Sequence, residues 1–320
     1  MIAWLLAGLG LAILLLAGDA LVKGAVNLSL RVGVPALIVS LTIVAFGTSA
    51  PELLVSLNAV LENKPGLALG NVVGSNTANI LLVLGVPAII SGLHVSQCDS
   101  RKSYVMMIGA SVMFIALAFR GVFDILAGVI LLASLTYVLW DAFHAARNHR
   151  RAAAAAVLDP DDPEAVEGAD PDMPWWQIVV FLVLGLVGLP LGAELLVDSA
   201  SVIAHRYGVS DSVIGLTLVA LGTSLPELAT TVMAAIRRQA DVVLGNVIGS
   251  NMFNLLAIVG ITSLVAPIPV DREFLVFDLW VMLGASLLLG LFVLACKDIG
   301  RLWGVALTGL YLLYVTFVIS

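Results

Sequence analysis

The chain has 320 residues, of which 61% are hydrophobic and 12% are charged, and its mean hydropathy is +1.09. This composition excludes a soluble globular protein and indicates an all-α polytopic membrane protein, with apolar residues for roughly ten spans of about 20 residues each. The net charge of −7 gives no basic excess for nucleic-acid binding, and the two cysteines, Cys98 and Cys296, support neither a disulfide framework nor a cysteine-bound metal.

Ten apolar segments are predicted to be transmembrane helices, five on each side of a polar stretch. The first has no basic residue before its apolar core, which predicts a retained helix rather than a signal peptide. The predicted spans are residues 2–28, 36–61, 67–91, 103–119 and 122–144, followed by 175–203, 211–236, 243–266, 274–295 and 301–319. The chain therefore divides into a first five-helix repeat at 1–144, an acidic linker at 145–174 and a second five-helix repeat at 175–320.

The linker accounts for the negative net charge. It contains an alanine run at 152–156, several prolines and a group of aspartates and glutamates between Asp159 and Asp172. A calcium-attracting acidic loop is one reading, but such a composition is more typical of a solvated and mobile connector.

Lysine and arginine positions predict how the helices are oriented in the membrane. An odd number of spans in each half inverts the second half relative to the first. With the N-terminus outside, ten Lys and Arg residues fall in inner loops and four in outer loops, which is the bias expected of cytoplasmic loops. We therefore predict that both termini lie outside, that the linker is cytoplasmic, and that two inverted repeats meet at a substrate site near the midplane.

A polar motif occurs twice in the chain. Residues 46–85 align with 221–260 without a gap, at a constant offset of 175 residues. The shared blocks are GTSxPE, which begins at Gly47 and Gly222, and GNxxGSNxxN, which begins at Gly70 and Gly245. A packing surface could retain glycines in both copies, but hardly an acid, two hydroxyls and three asparagines in segments this apolar. The copies are therefore predicted to be two halves of one polar site.

The acids of this motif, Glu52 and Glu227, lie inside predicted spans, where a bare charge costs about 3 kcal/mol or more. Such acids usually carry function and face a cavity; a structural hydrogen bond between helices is the alternative. Each follows a proline, Pro51 or Pro226, which removes one hydrogen bond of the helix and frees carbonyl groups to turn towards a cation.

Helical spacing is predicted to gather oxygen atoms around both acids. In each half, Thr and Ser precede the glutamate by four and three residues, and a second Ser precedes an Asn by four, so each set shares a helix face. Such oxygens suit Na⁺ and also Ca²⁺, which takes about 6–8 oxygen ligands. No His or Cys joins them, which disfavours zinc and copper. The set consists of Thr48, Ser49, Glu52, Ser75 and Asn79 with Thr223, Ser224, Glu227, Ser250 and Asn254.

Two other classes of function fit the motif less well. An intramembrane hydrolase that uses Ser49 or Ser224 as nucleophile would need a His or Lys base at the same depth, and none lies near either motif. A passive channel is the other alternative, which saturable flux dependent on a counter-ion would separate from a transporter. We predict no enzymatic activity and no cofactor.

Several neighbouring residues have a less defined role. The motif glycines are assigned to close helix packing. The remaining motif asparagines could either bond between helices or bind the ion, and three further acids could line an ion path or lie near the membrane interface. The glycines are Gly70, Gly74, Gly245 and Gly249; the asparagines are Asn71, Asn76, Asn246 and Asn251; the acids are Asp19, Glu194 and Asp198.

The GTSxPE and GNxxGSNxxN blocks resemble the alpha-1 and alpha-2 repeats of the cation/calcium exchanger superfamily, and in particular its prokaryotic sodium/calcium exchanger-like proteins. The resemblance covers both repeats and the five-plus-five layout, with only the linker outside it. It implies an integral protein of a bacterial or archaeal cytoplasmic membrane that exchanges Na⁺ for Ca²⁺ without an obligate protein partner. It also implies that spans one and six slide across a core of four site helices. The ten side chains above would be the ligands, with the carbonyl groups of Ala45 and Ala220 as candidate sodium ligands.

One departure from the family pattern concerns Asn79 and Asn254. Many members carry Asp at one of these positions, and here both are Asn. Two carboxylates remain, which neutralise one Ca²⁺ or two Na⁺, and potassium dependence is less expected. An antiporter of Ca²⁺, or of another divalent cation, against H⁺ is the alternative, although the Asn-rich helices argue against it.

Overall fold

The computed structural model describes residues 2–95, 100–155, 170, 172–208 and 220–319, and most of these residues are helical. The first half contains α1 (Ile2–Val32), α2 (Ala36–Val39), π1 (Ser40–Val44), α3 (Ala45–Thr48), α4 (Ala50–Leu61), α5 (Pro65–Leu81), α6 (Gly85–Ser91), α7 (Arg101–Ala118), β1 (Val122–Phe123) and α8 (Ile125–Ala155). The second half contains α9 (Trp175–Arg206), α10 (Ala220–Thr223), α11 (Leu225–Ile236), α12 (Ala240–Phe253), π2 (Asn254–Ile258), α13 (Val259–Val265), β2 (Ile268–Pro269), π3 (Phe274–Asp278), α14 (Leu279–Val293) and α15 (Arg301–Ile319).

The predicted all-α membrane architecture is confirmed, and the count of ten spans stays a prediction. Within the described residues, eight helical stretches are long and apolar enough to cross a membrane, and the bent pair Ala36–Thr48 and Ala50–Leu61 makes a ninth if it is one span. The span predicted at 211–236 lies partly outside the described residues, which resume at α10. The inverted arrangement of the two halves is likewise still a prediction.

Several helices differ in extent from their predicted spans. The predicted span at 67–91 is divided into α5 and α6, and π2 interrupts the span predicted at 243–266. α8 continues to Ala155, beyond the predicted start of the linker at residue 145, because alanine has the highest helix propensity. Residues 156–169 of the linker lie outside the described part of the chain.

The two helices that carry the GNxxGSN block form the centre of the structure. Residues 242–260, from α12 through π2 into α13, are all buried, and α5 is buried over most of its length. The glycines of α12 allow a close approach to the α2–α3 segment. A Cβ on Gly245 would lie 2.6 Å from the Leu37 carbonyl oxygen, and one on Gly249 would lie 2.5 Å from that of Leu41. Their predicted packing role is thereby confirmed.

The same role for Gly70 and Gly74 stays a prediction. The repeat offset relates the α2–α3 segment to residues 211–223, of which 211–219 lie outside the described part of the chain. Within the described part, the α5 glycines make no comparably close approach.

The long helices α1 and α9 form a pair of their own. Their glycines meet the backbone of the partner helix in an antiparallel order: a Cβ on Gly192 would lie 2.9 Å from the Leu14 nitrogen, and one on Gly185 would lie 2.8 Å from Leu21 Cα. Small residues of this kind let membrane helices pack closely. Beside the main core, Leu14, Ala17, Leu21, Ala25, Leu189 and Ala193 of this pair form an apolar cluster together with Val39, Val44 and Ala229 of neighbouring helices.

The close α1–α9 contact predicts that a large side chain destabilises the protein at the glycines where the two helices meet, and not at exposed glycines. Gly192→Leu should lower the melting temperature in detergent, because overpacking a close contact typically costs about 1–3 kcal/mol. Gly8→Leu is the matched control: this α1 glycine is exposed, and a Cβ added to it would have no described atom within 4 Å. Equal melting temperatures for the two variants would contradict the close α1–α9 packing.

The repeat offset also appears in the connections between helices. β1 and β2 pair antiparallel, with Phe123 opposite Ile268, and an isolated bridge joins Leu93 to Ile299. Leu93 corresponds to Ile268 under the offset of 175 residues, and Ile299 corresponds to the neighbour of Phe123. The two halves are therefore tied together by two related pairs of short extended segments.

Candidate functional site

Both copies of the GTSxPE block form the same break in a helix. At Ser49, between α3 and α4, the backbone has φ −83° and ψ 3°, and the flanking helical segments are bent by 41°. Ser224, between α10 and α11, has nearly the same conformation, with φ −88° and ψ 2°. In each new helix the motif proline lies within the first two positions, where no N–H is needed for the helix. Glu52 and Glu227 therefore each lie in the first turn of a helix.

The break brings the two halves of the motif together. Glu52 and Glu227 are 1% and 0% exposed, and their carboxylates are close enough to repel each other electrostatically. The Ser49 hydroxyl of the first half donates to Glu227 Oε1 of the second half at 3.3 Å. Beside it, Thr48 Oγ1 of the first half lies 3.5 Å from Ser250 Oγ of the second half. The first motif thus supplies polar side chains around the acid of the second.

The sites of the two acids are not equivalent. Ser49 reaches Glu227, whereas the Oγ of Ser224, its counterpart under the offset, has no hydrogen-bond partner. Thr223 is only half-buried, whereas its counterpart Thr48 is buried. The exact twofold arrangement that the repeated motif suggests is therefore broken at its centre.

The predicted ligands on the two central helices are also buried. Ser75, Asn79, Ser250 and Asn254 are between 0% and 4% exposed. Asn79 Nδ2 donates to Asn251 Oδ1 at 3.1 Å, while Asn79 Oδ1 and both polar atoms of Asn254 have no partner. Asn254 begins π2, whereas its counterpart Asn79 lies within α5.

Buried polar atoms without a hydrogen-bond partner are concentrated at this site. An unpaired buried polar group usually costs about 1–3 kcal/mol. Most of the unpaired atoms are oxygens, which are the ligands that hard cations prefer. In the described residues only Ser100 Oγ and Thr308 Oγ1 are unpaired elsewhere. At the motif they are Glu52 Oε2, Glu227 Oε2, Ser224 Oγ, Asn76 Oδ1, Asn79 Oδ1, Asn254 Oδ1 and Asn254 Nδ2.

One of the two candidate carbonyl ligands lies at the first helix break. The Ala45 carbonyl oxygen accepts a hydrogen bond from the Ser49 amide at 3.0 Å and lies 3.3 Å from Thr48 Oγ1. At the second break, the Ser224 amide donates to the Leu221 carbonyl at 3.1 Å. The Ala45 carbonyl therefore borders the motif hydroxyls, and the equivalent role of Ala220 stays a prediction.

The other motif asparagines bond between helices. Asn71 and Asn246 contact the motif threonines Thr223 and Thr48 of the opposite half, and Asn76 Nδ2 donates to the Asn251 carbonyl at 3.2 Å. The sequence left open whether these asparagines bond between helices or bind the ion. A hydroxyl recurs at Ser56 and Thr231, and Asn71 and Asn246 respectively contact it. That recurrence was a signal that could have indicated bonding between helices.

The three additional acids lie away from the two glutamates. Asp19 Oδ1 accepts a hydrogen bond from Arg237 Nε at 2.5 Å, which ties α1 to the end of α11. Glu194 and Asp198 are exposed on α9. Within the described residues no three His, Cys, Asp or Glu side chains cluster as a metal site, so the central site contains two carboxylates and otherwise neutral oxygens.

Comparison with known proteins supports a transport role for this arrangement. A family model described as "Sodium/calcium exchanger protein" matches residues 2–147 and 177–320. The sodium/calcium exchanger MaX1 of Methanosarcina acetivorans is 33% identical, with 96% of this chain and 95% of that protein covered. The inner membrane protein YrbG of Escherichia coli is 34% identical, with 96% and 93% covered.

A solved structure is similar over the same extent. The sodium-calcium exchanger NCX_Mj, soaked with 2.5 mM Na⁺ and 1 mM Sr²⁺, superposes with a TM-score of 0.82 at 32% identity, and the match covers 99% of this chain and 98% of that one. The similarity therefore includes both halves and both motif copies.

Proposed function

This chain belongs to the sodium/calcium exchanger protein family, and from that premise we propose that it is a secondary active antiporter that exchanges Na⁺ for Ca²⁺. The observation that carries the proposal is the contact of Ser49 with Glu227, beside Glu52. This contact joins oxygens from both halves in one site that is shielded from solvent. Na⁺ and Ca²⁺ are the transported substrates, and no cofactor takes part.

The proposed ligands are the predicted side chains, to which the carbonyl groups of Ala45 and Ala220 would be added for sodium. Two carboxylates neutralise one Ca²⁺ or two Na⁺, so the two ions compete for the same charge. A third Na⁺ would leave the site positively charged. The side chains are Thr48, Ser49, Glu52, Ser75, Asn79, Thr223, Ser224, Glu227, Ser250 and Asn254.

Alternating access is proposed to occur by movement of α1 and α9 as one unit. The two helices pack closely on each other through glycines, and they share an apolar cluster that Val39, Val44 and Ala229 of the neighbouring helices also join. Sliding of this pair would expose the site to one side of the membrane at a time, as expected of a transporter built from repeats.

The proposed membrane location follows from charge and from a relative. The distribution of Lys and Arg supports outer N- and C-termini and a cytoplasmic linker. A relative of similar length is described as an inner membrane protein of Escherichia coli. We propose the cytoplasmic membrane of a bacterium or archaeon.

The test is uptake of radioactive calcium into proteoliposomes. Liposomes loaded with Na⁺ and diluted into Na⁺-free buffer should accumulate calcium, whereas liposomes without internal Na⁺ should not. Uptake that follows a pH gradient alone would instead identify a Ca²⁺/H⁺ antiporter. Absence of uptake under either gradient would contradict calcium transport and direct the search to another divalent cation.

A substitution at Asn254 should change the ion dependence. Asn254→Asp adds a third carboxylate at a position whose side chain has no hydrogen-bond partner. We expect the sodium or potassium dependence of calcium uptake to change, because the site would then neutralise one more positive charge. The profile is measured by varying internal Na⁺ and K⁺ separately, and an unchanged profile would remove Asn254 from the site.

A further inference from the structure

We propose that Asn71 and Asn246 are positioning residues, which hold the hydroxyls of Thr223 and Thr48 so that their oxygen lone pairs face the transported cation. Each asparagine lies on one half of the chain and controls a hydroxyl of the other half. The proposal rests on the proposed cation site and adds to it two residues that do not bind the ion themselves.

The bonds around Asn246 fix the direction of its amide group. Thr231 Oγ1 donates its single hydrogen to the Glu227 carbonyl oxygen at 2.6 Å. Only its lone pairs then remain for Asn246, so the group that faces it at 3.3 Å is the amide NH₂. Asn246 Oδ1 consequently faces Thr48 Oγ1, also at 3.3 Å, and Thr48 is the donor.

The bonds around Asn71 lead to the same direction. Asn71 Nδ2 donates to the Glu52 carbonyl oxygen at 3.1 Å, and a carbonyl group can only accept. It also donates to Ser56 Oγ at 3.0 Å, at the position related to Thr231 by the repeat. Asn71 Oδ1 then accepts the hydroxyl hydrogen of Thr223 at 3.4 Å.

Two directed series of hydrogen bonds therefore cross between the halves, and each runs from a motif threonine of one half to the backbone of the site glutamate of the other. In one, Thr48 donates to Asn246, Asn246 to Thr231, and Thr231 to the Glu227 carbonyl. In the other, Thr223 donates to Asn71, which donates directly to the Glu52 carbonyl.

The direction in which a threonine hydroxyl donates its single hydrogen determines whether its oxygen can bind a cation. A hydroxyl has one donor and two lone pairs, so an oxygen that binds a cation must donate its hydrogen elsewhere. The other possible acceptors near Thr48 are Ser250 Oγ at 3.5 Å and the Ala45 carbonyl oxygen at 3.3 Å, itself a candidate sodium ligand. Asn246 accepts this hydrogen without adding charge to the site, and thereby leaves the Ala45 carbonyl oxygen, which also accepts the Ser49 amide, one lone pair for the cation.

A double-mutant cycle tests the proposal through calcium binding. The apparent dissociation constant for Ca²⁺ is measured by equilibrium binding to the full chain in Na⁺-free buffer. Asn246→Leu should weaken binding about 10–100-fold, as is typical when a residue that orients a metal ligand is removed. Thr48→Val should also weaken it, and the double variant should bind no more weakly than Thr48→Val alone, because Asn246 acts through that hydroxyl.

The internal control combines Asn246→Leu with Thr223→Val. These two residues belong to different series of hydrogen bonds, so the factors by which the substitutions weaken calcium binding should multiply. Thr262→Val removes a buried hydroxyl that bonds only within its own helix, to the Ile258 carbonyl at 2.6 Å, and should leave calcium binding unchanged. Multiplicative effects of Asn246→Leu and Thr48→Val would overturn the proposal, since a residue with only a packing role shows no specific coupling to Thr48.

The test remains decisive if Asn246→Leu does not fold, and also if the chain binds Ca²⁺ without exchanging it. If Asn246→Leu does not fold, the related cycle of Asn71→Leu with Thr223→Val decides the question, because Asn71 is only half-buried. Because the cycle measures equilibrium binding, it is independent of exchange. A wild-type chain that binds Ca²⁺ but does not exchange it for Na⁺ would contradict the proposed antiport, and the cycle would still decide the role of Asn246.

Discussion

Glu52→Gln and Glu227→Gln are each expected to abolish exchange of Ca²⁺ for Na⁺ while the protein remains folded. Each substitution keeps the shape of the side chain but removes one of the two negative charges in the buried site. One remaining carboxylate leaves a bound Ca²⁺ with an uncompensated positive charge in a buried site, which is strongly unfavourable. We expect calcium uptake by Na⁺-loaded proteoliposomes to fall by about 100-fold or more, beyond the range typical of residues that only orient a ligand.

Glu62→Gln is the matched control for these variants. Glu62 directly follows α4, the helix whose first turn contains Glu52. Its exposed side chain pairs with Lys64 at 2.9 Å. Exchange by this variant should equal that of the wild type. Near-normal uptake by both Glu52→Gln and Glu227→Gln, in protein that elutes as a single species, would remove the two acids from the site.

Cross-linking α1 to the end of α11 is expected to stop exchange reversibly. In a background with Cys98→Ser and Cys296→Ser, the substitutions Asp19→Cys and Arg237→Cys place thiols where an ion pair now joins the two helices. A bifunctional reagent that joins the two thiols through disulfide bonds should fix α1 to the core and reduce calcium uptake to background. Cleavage of the link by a reductant should restore the uptake measured before cross-linking.

A second cross-link distinguishes movement of the α1–α9 pair from general inhibition. Lys23 on α1 lies over the ring of Phe181 on α9, with its Nζ 5.7 Å from the ring centroid. A link between Lys23→Cys and Phe181→Cys joins two helices that are proposed to move together, so exchange should persist. Full uptake after complete cross-linking of α1 to α11 would contradict the sliding movement.

The sequence alone was sufficient to propose the residues of the site. Glu52 and Glu227 lie in apolar segments and recur with the same polar neighbours, and few packing requirements would retain an acid twice. The helix breaks were also predictable, because a proline within a span removes a backbone donor. The structure has these breaks at Ser49 and Ser224.

The individual contacts between the two motif copies could not be predicted from the sequence. Helical spacing relates residues within one helix, so it grouped Ser49 with Glu52, whereas in the structure Ser49 bonds to Glu227 of the other half. The same limit applies to Asn71 and Asn246, whose partners lie on another helix in the opposite half. Contacts between helices depend on how the halves pack, which the period of a single helix does not contain.

The differences between the halves could not be predicted for a related reason. Asn79 and Asn254 occupy equivalent positions in nearly identical motifs, yet one lies in an α-helix and the other begins a π-helix. A repeated sequence predicts repeated local structure. The surrounding helices then stabilise one arrangement in each half, and these surroundings differ.

The most direct test of one shared site is the number of calcium ions that bind to each chain. Equilibrium binding of Ca²⁺ to the purified protein in Na⁺-free buffer should saturate at one ion per chain, be displaced by Na⁺, and be lost in Glu52→Gln and in Glu227→Gln alike. Binding of two ions per chain, with each variant retaining one of them, would show that each half holds its own site and would contradict a single site built from both.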